Sequence, residues 1–256
     1  MLKISKYIIF FLFSCYTHLA LSENNVNDST IKILKGSYDY SFIDSDKLRG
    51  REEWIITTHN DGSKTLQSFV DLWQLGHQTN VLMRVNKNFV PIDAFINFWR
   101  SNVYGGAVFL WAETSSISPK INLNSKIISP SGNADYNLDV PTNFSLRLHP
   151  VITEGWHVAF FDKSITKTKQ LGKIYNVVTK SDETLKGIGI LQDNIVDYKG
   201  TEVINVPAGK FKTDHFTFYD GRYDIWLWSE DKIIVLYKAI SNNREYRLTN
   251  IDVSYK

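Results

Sequence analysis

The chain has 256 residues, with 29 basic and 27 acidic side chains, and 43% of it is hydrophobic and 14% aromatic. This near balance leaves no overall basic footprint for nucleic acid or an anionic membrane, and a single cysteine excludes a disulfide framework. The length suffices to bury a substantial core without one.

Residues 1–22 read as a secretory leader. Lys3 and Lys6 form a basic start, Tyr7 to Ser14 is almost wholly apolar, and Ala20-Leu21-Ser22 supplies small residues for cleavage. Export into the periplasm of a Gram-negative bacterium follows. Removing Lys3 and Lys6 leaves 27 basic side chains against 27 acidic ones. Leu12-Phe13-Ser14-Cys15 offers an alternative, a lipobox that would anchor the protein through Cys15. No later stretch approaches the ~20 apolar residues of a membrane span.

Polar residues 23–35 read as a flexible segment, and residues 36–256 as one all-β domain. Tyr38, Tyr40 and Phe42 alternate with polar residues, and Asp61-Gly62 marks a tight hairpin turn after Trp54-Ile55-Ile56. Strands are expected at Leu66–Leu75, Asn80–Val85, Phe95–Arg100 and Ala107–Glu113. Residues 117–141, rich in Ser, Asn, Asp and Pro, read as the most loop-like interior stretch. Phe144, Leu146 and Leu148 begin a further series, with strands expected at Trp156–Phe161, Lys173–Thr179, Ile188–Tyr198, Glu202–Val206, Phe211–Tyr219, Tyr223–Trp228, Ile233–Ile240 and Arg244–Val253. About 14 strands with turn signals every 8–12 residues predict one antiparallel curved sheet or barrel with little helix.

The segment Val203-Ile204-Asn205-Val206-Pro207-Ala208-Gly209-Lys210-Phe211, followed by Asp224-Ile225-Trp226-Leu227-Trp228-Ser229-Glu230-Asp231, resembles the C-terminal part of exported bacterial DUF3108-like proteins. In that family a V-P-A-G-x-F turn joins two strands. The resemblance covers about a quarter of the chain. It implies a curved sheet of the lipoprotein-carrier half-barrel kind in an exported protein, and no activity.

Strands apolar on both faces, such as Val108–Ala112 and Tyr223–Trp228, predict either a packed core or an aromatic-lined cavity. The candidate ligand-binding residues are Trp99, Arg100, Trp111, Arg147, Trp156, His215, Tyr219, Trp226 and Trp228. Burial of apolar ligand surface would supply affinity, with Arg100, Arg147 or His149 orienting a polar end. The sharpest polar cluster is His149, Glu154 and His157 around a Pro- and Gly-bearing turn, with Asp162 five residues on. His149, His157 and Asp162 are therefore the candidate acid–base group. No metal site or cofactor is expected, since neither H-x-H nor H-E-x-x-H occurs. The favoured reading is a non-catalytic envelope protein whose partner is a lipid or another apolar small molecule, with no nucleic acid and no transmembrane span after processing. The alternatives are an exported acid–base enzyme and an envelope scaffold that pairs through sheet edges.

Overall fold

The computed structural model describes residues 30–114, 119–177 and 189–255. The expected leader, Cys15, residues 23–29, and the strand ends at 178–179 and Ile188 lie outside the described residues. Eight strands run in sequence: β1 (Thr30–Phe42), β2 (Leu48–His59), β3 (Lys64–Leu72), β4 (His77–Val85), β5 (Pro91–Arg100), β6 (Val103–Thr114), β7 (Lys120–Ser129) and β8 (Gly132–Pro141). Seven more follow: β9 (Phe144–Arg147), β10 (Lys169–Asn176), β11 (Ile190–Val206), β12 (Gly209–Phe218), β13 (Tyr223–Trp228), β14 (Ile233–Ala239) and β15 (Arg244–Tyr255). All 15 belong to one nearly closed, barrel-like sheet.

The sheet is two meanders joined at their ends. Strands β1 to β8 pair in chain order, β9 to β15 do likewise, and β1 pairs with β15 to unite them. The edges are then β8 and β9, which are consecutive in sequence and separated only by Thr142-Asn143. Strand β9 runs parallel to β10, whereas the other pairings are antiparallel.

Period-two patterning sets which face is buried. In β2, Glu52, Trp54, Ile56 and Thr58 are buried while Glu53 is exposed and Ile55 and Thr57 are half-buried. Burial on one face corrects the expectation for β6. Val108 and Leu110 are buried, but Phe109 and Trp111 are exposed on the outer face. In β13 a register shift between Trp226 and Leu227 breaks the alternation, so both side chains are buried. The Asp61-Gly62 turn and the Pro207-Ala208 turn form where expected, with Gly62 and Gly209 at positive φ.

Three expectations are overturned. Strand β1 begins at Thr30, inside the segment read as flexible. Residues 120–141 form the β7–β8 hairpin rather than a loop, with Ile121, Leu123, Ile127 and Val140 buried and asparagines outward. The strand expected at Trp156–Phe161 does not form: a single helical turn, α1 (Val151–Glu154), continues into a 3-10 turn, Gly155–Val158, and no strand follows over 159–161.

That helical segment fills the barrel. Trp156 is 2% exposed, and its indole donates to the Asp231 carbonyl at 3.2 Å. Gly155 lies so close to the β13–β14 turn that a Cβ would sit 2.1 Å from the Lys232 carbonyl oxygen. Leu148, Ile152, Trp156 and Val158 join Tyr38, Ile56 and Phe218 in one core. One end of the barrel, here the mouth, carries the β1–β2, β3–β4, β5–β6, β7–β8, β12–β13 and β14–β15 turns. The other end carries the β2–β3, β4–β5, β11–β12 and β13–β14 turns.

Candidate functional site

A cavity of about 280 Å³ sits at the mouth, lined mainly by polar and aromatic side chains. Its first cation comes from an irregularity in β2. Tyr40 pairs with Gly50 but Ser41 pairs with Leu48, so Arg49 is the extra residue of a bulge and points inward. Gly50 permits this: a Cβ there would meet the Asp71 carbonyl at 2.5 Å. Arg49 is only 4% exposed, its guanidinium lies 5.8 Å from the rings of both Tyr40 and Tyr246, and its Nε has no hydrogen-bond partner. Burial lowers its pKa from the ordinary guanidinium value.

Arg147, at the end of β9, donates from Nε to Glu154 Oε1 at 2.8 Å and packs against the rings of Tyr219 and Tyr223. Burial would push Glu154 up, but Arg147 beside it holds the carboxyl well below its usual range. Arg244, the first residue of β15, bonds Tyr246 two positions along the same strand and also lines the cavity. Three guanidiniums thus face one ionised carboxylate. Among the described residues, neither Arg49 nor Arg244 has a carboxylate within ion-pair distance. His149 completes the lining with φ at 86°, a left-handed conformation unusual for a residue with a side chain. Surrounding protein first, then Arg100 and Arg49, lower its pKa and keep the imidazole neutral. The residue as a whole is nonetheless exposed, and this tempers the shift.

Below the cavity, Glu52 anchors the helical segment. Its carboxylate accepts from the Tyr40 hydroxyl at 2.5 Å, from Ser68 at 3.0 Å, and from the Val151 and Ile152 amides at 2.7 and 3.3 Å. Two of these donors are orphan amides of α1, so a strand residue 99 positions away caps the helix. Burial outweighs the donors and raises Glu52 from 4.5 to about 7. A carboxyl that ionises at higher pH when folded stabilises the fold while protonated. That contribution is full below the unfolded value and is lost as pH rises through about 7. Urea denaturation of wild type and Glu52→Gln across this window should show the wild type losing roughly 3 kcal/mol relative to the variant between pH 4.5 and 7. A difference that does not change with pH would refute the assignment.

Of the residues expected from sequence, the cavity gathers Arg147 and His149, and Tyr219 packs on Arg147. The acid–base trio does not assemble. His157 is buried beneath the cavity, with Nδ1 2.8 Å from the Ser145 hydroxyl and Nε2 3.5 Å from Glu154. Asp162 lies exposed in the following loop, accepting from the amide and hydroxyl of Ser164. The tryptophans expected to line one pocket are dispersed because the sheet places them on different walls and faces. Trp99 packs edge-on against Tyr104, and Trp111 is exposed and donates to Glu113. Trp156 fills the core, and Trp228 packs on Phe211. Trp226 stacks on His215 with ring centroids 4.3 Å apart, and His215 sits between Asp224 and Glu202. Arg100 packs over Phe98. Arg49, Arg244, Tyr40, Tyr237 and Tyr246, which also line the cavity, were not expected. Only the tyrosine alternation of β1 pointed at any of them.

A wider groove of about 810 Å³ lies on the outer face, over Ile55, Phe69, Leu82 and Phe95. Its charged lining residues Lys35, Arg51 and Glu53 are all exposed, and Arg51 is paired at the surface with Asp39. With no unpaired buried charge there, the smaller cavity is the stronger candidate. Among the described residues, no group of three or more His, Cys, Asp or Glu could hold a metal.

No family model and no curated protein matches the sequence. Solved structures do match. A DUF1089 family protein from Pseudomonas aeruginosa is similar at 9% identity and TM-score 0.42, with 74% of this chain and 90% of that one covered. A β-barrel-like protein of the domain of unknown function DUF1849, from Brucella abortus, is similar at 11% identity and TM-score 0.55 over 88% of this chain and 98% of that one. The likeness to the Brucella protein establishes a shared fold: the chain is a barrel-like all-β protein.

Proposed function

We propose that the protein is a non-catalytic binding protein of the cell envelope that holds the anionic head of an amphipathic ligand in the mouth cavity. Arg49 carries this reading. A buried, permanently charged side chain with no carboxylate partner is costly unless a ligand supplies the countercharge. The aromatic cage of Tyr40 and Tyr246 holds the guanidinium in place, so little side-chain entropy is lost on binding. The volume suits a head group rather than a whole lipid, and Trp156 and its neighbours occupy the interior where a tail would otherwise lie.

Hexyl phosphate tests the reading by calorimetric titration. The wild type should bind it, and Arg49→Gln should weaken binding by about 2 kcal/mol, roughly thirtyfold, the worth of one charge-assisted hydrogen bond. Gently purified protein should also show an added acidic mass in native spectra that organic extraction removes. No binding of hexyl phosphate, or equal binding by the variant, would sink the proposal.

A further inference from the structure

The turns around the mouth are unlike those at the other end. Val103 is 67% exposed and Ile240 59%, and Leu48, Trp73, Leu75 and Tyr104 are also exposed there. The turns at the opposite end instead present Asn60, Asp61, Lys87, Asn88 and Glu230, and the exposed Tyr255 at that end stands at the terminus of β15 rather than in a turn. Scattered exposed apolar residues are ordinary on a protein surface. Six gathered at one end of a barrel, around a cavity with uncompensated arginines, are not.

Hydrogen bonds tie these turns into one continuous ridge. Asn243 accepts from the Ile43 amide through its carbonyl and from the Asp44 amide through its side chain, joining the β14–β15 and β1–β2 turns. Gln74 donates to the Leu48 carbonyl at 2.6 Å, linking the β3–β4 turn to the start of β2. The Asn102 amide donates to the Gly76 carbonyl at 2.9 Å and brings in the β5–β6 turn. Gly76 adopts positive φ at this junction, where a Cβ would meet Asn102 within 3 Å. The apolar side chains are therefore presented on a fixed scaffold. Arg49 follows Leu48 in sequence, and Asn242 and Arg244 flank the β14–β15 turn while lining the cavity, so the ridge and the cation site adjoin.

We infer that the barrel docks mouth-first on an anionic lipid surface, with the ridge of Trp73, Leu75, Val103, Tyr104, Ile240 and Leu48 in the interfacial layer and a lipid head group entering the Arg49 cavity. This rests on the cavity reading above and names the source of its ligand. Aromatic and aliphatic side chains at the interface supply binding that is nearly independent of charge. Arg49 and Arg244 supply the preference for anionic head groups. The chain's balanced overall charge is compatible with this, because the selectivity resides in a few desolvated guanidiniums. The ridge itself is not basic: it includes Asp44 and Asp46, and Asp46 is paired with Arg247. Apolar contact must therefore carry much of the affinity, and part of the binding should survive high salt.

The test uses vesicles of phosphatidylcholine alone or mixed equally with phosphatidylglycerol, with co-sedimentation as the readout. The wild type should bind the mixed vesicles more tightly than the neutral ones. The double variant Trp73→Ser/Leu75→Ser alters two exposed side chains, so the fold should persist. It should lose about tenfold or more in vesicle affinity while still binding hexyl phosphate like the wild type. Arg49→Gln should lose most of the preference for the mixed vesicles while still binding the neutral ones like the wild type. Vesicle binding unaffected by the double variant, or no vesicle binding by the wild type, would overturn membrane docking. If hexyl phosphate still bound in an Arg49-dependent way, the cavity reading would stand and the ligand would be one taken from solution. Loss of both would remove both.

Discussion

Glu154→Leu should destabilise the protein by about 3–5 kcal/mol, measured by urea denaturation at neutral pH. The substitution leaves Arg147, only 20% exposed at its side chain, without the carboxylate that its Nε contacts at 2.8 Å. It also removes the carboxylate that lies 3.5 Å from the buried His157 Nε2, a ring nitrogen that has no hydrogen-bond partner. Truncating both members of the pair should cost less than removing Glu154 alone, because the penalty lies mainly in the stranded charge. Arg147→Met/Glu154→Leu is the variant that decides this. If the double variant is as unstable as the sum of the single ones, the pair contributes independently and the electrostatic account fails. A destabilisation of Glu154→Leu below about 1 kcal/mol, the range of exposed pairs, would mean that Arg147 reaches water through the cavity.

Trp156→Ala should cost about 3–5 kcal/mol. The side chain is essentially fully buried in the helical segment that fills the barrel, and its indole N–H is matched by the Asp231 carbonyl. Deletion leaves a void bordered by Phe89, whose ring centroid is 5.8 Å from the indole. The surrounding strands are held by their ladders, so the wall cannot collapse inward and the void should persist. Trp156→Phe keeps most of the volume and should recover at least half of the loss. A loss under 2 kcal/mol for the alanine variant would show that the strands do close on the space. The cavity lies on the far side of α1, so hexyl phosphate binding by the alanine variant reports whether the helical segment also holds the site in shape.

Much of the strand pattern was legible, and the exceptions have identifiable causes. The β7–β8 hairpin read as a loop because asparagines are poor strand formers in composition. On the outer face, however, they bond one another across the hairpin: Asn122 donates to Asn137 at 2.8 Å and Asn137 to Asn124 at 2.9 Å. The alternation of Ile121 and Leu123 with these asparagines was the signal available. The helical turn at Val151 was missed because its cap is not local. Pro150 provides no side-chain acceptor, and the carboxylate that satisfies the first amides comes from Glu52, a hundred residues earlier. The site was half legible for the same kind of reason. Arg147 and His149 stand out beside a proline. Arg49 is aimed inward by a bulge that no period-two reading contains.

The union of β1 with β15 has a consequence for how the chain acquires this structure. Within each half every strand pairs with its sequence neighbour, so β1–β8 and β10–β15 can assemble by zipping consecutive hairpins, with β9 added in parallel to β10. Joining them requires Lys32 to find Tyr255 across almost the whole described chain. Until then, β1 exposes a long unpaired backbone edge, the kind of edge that also recruits strands from other molecules. The last step of folding should therefore be slow and vulnerable to aggregation. It should resemble the docking of two preformed sheets more than the collapse of a single one.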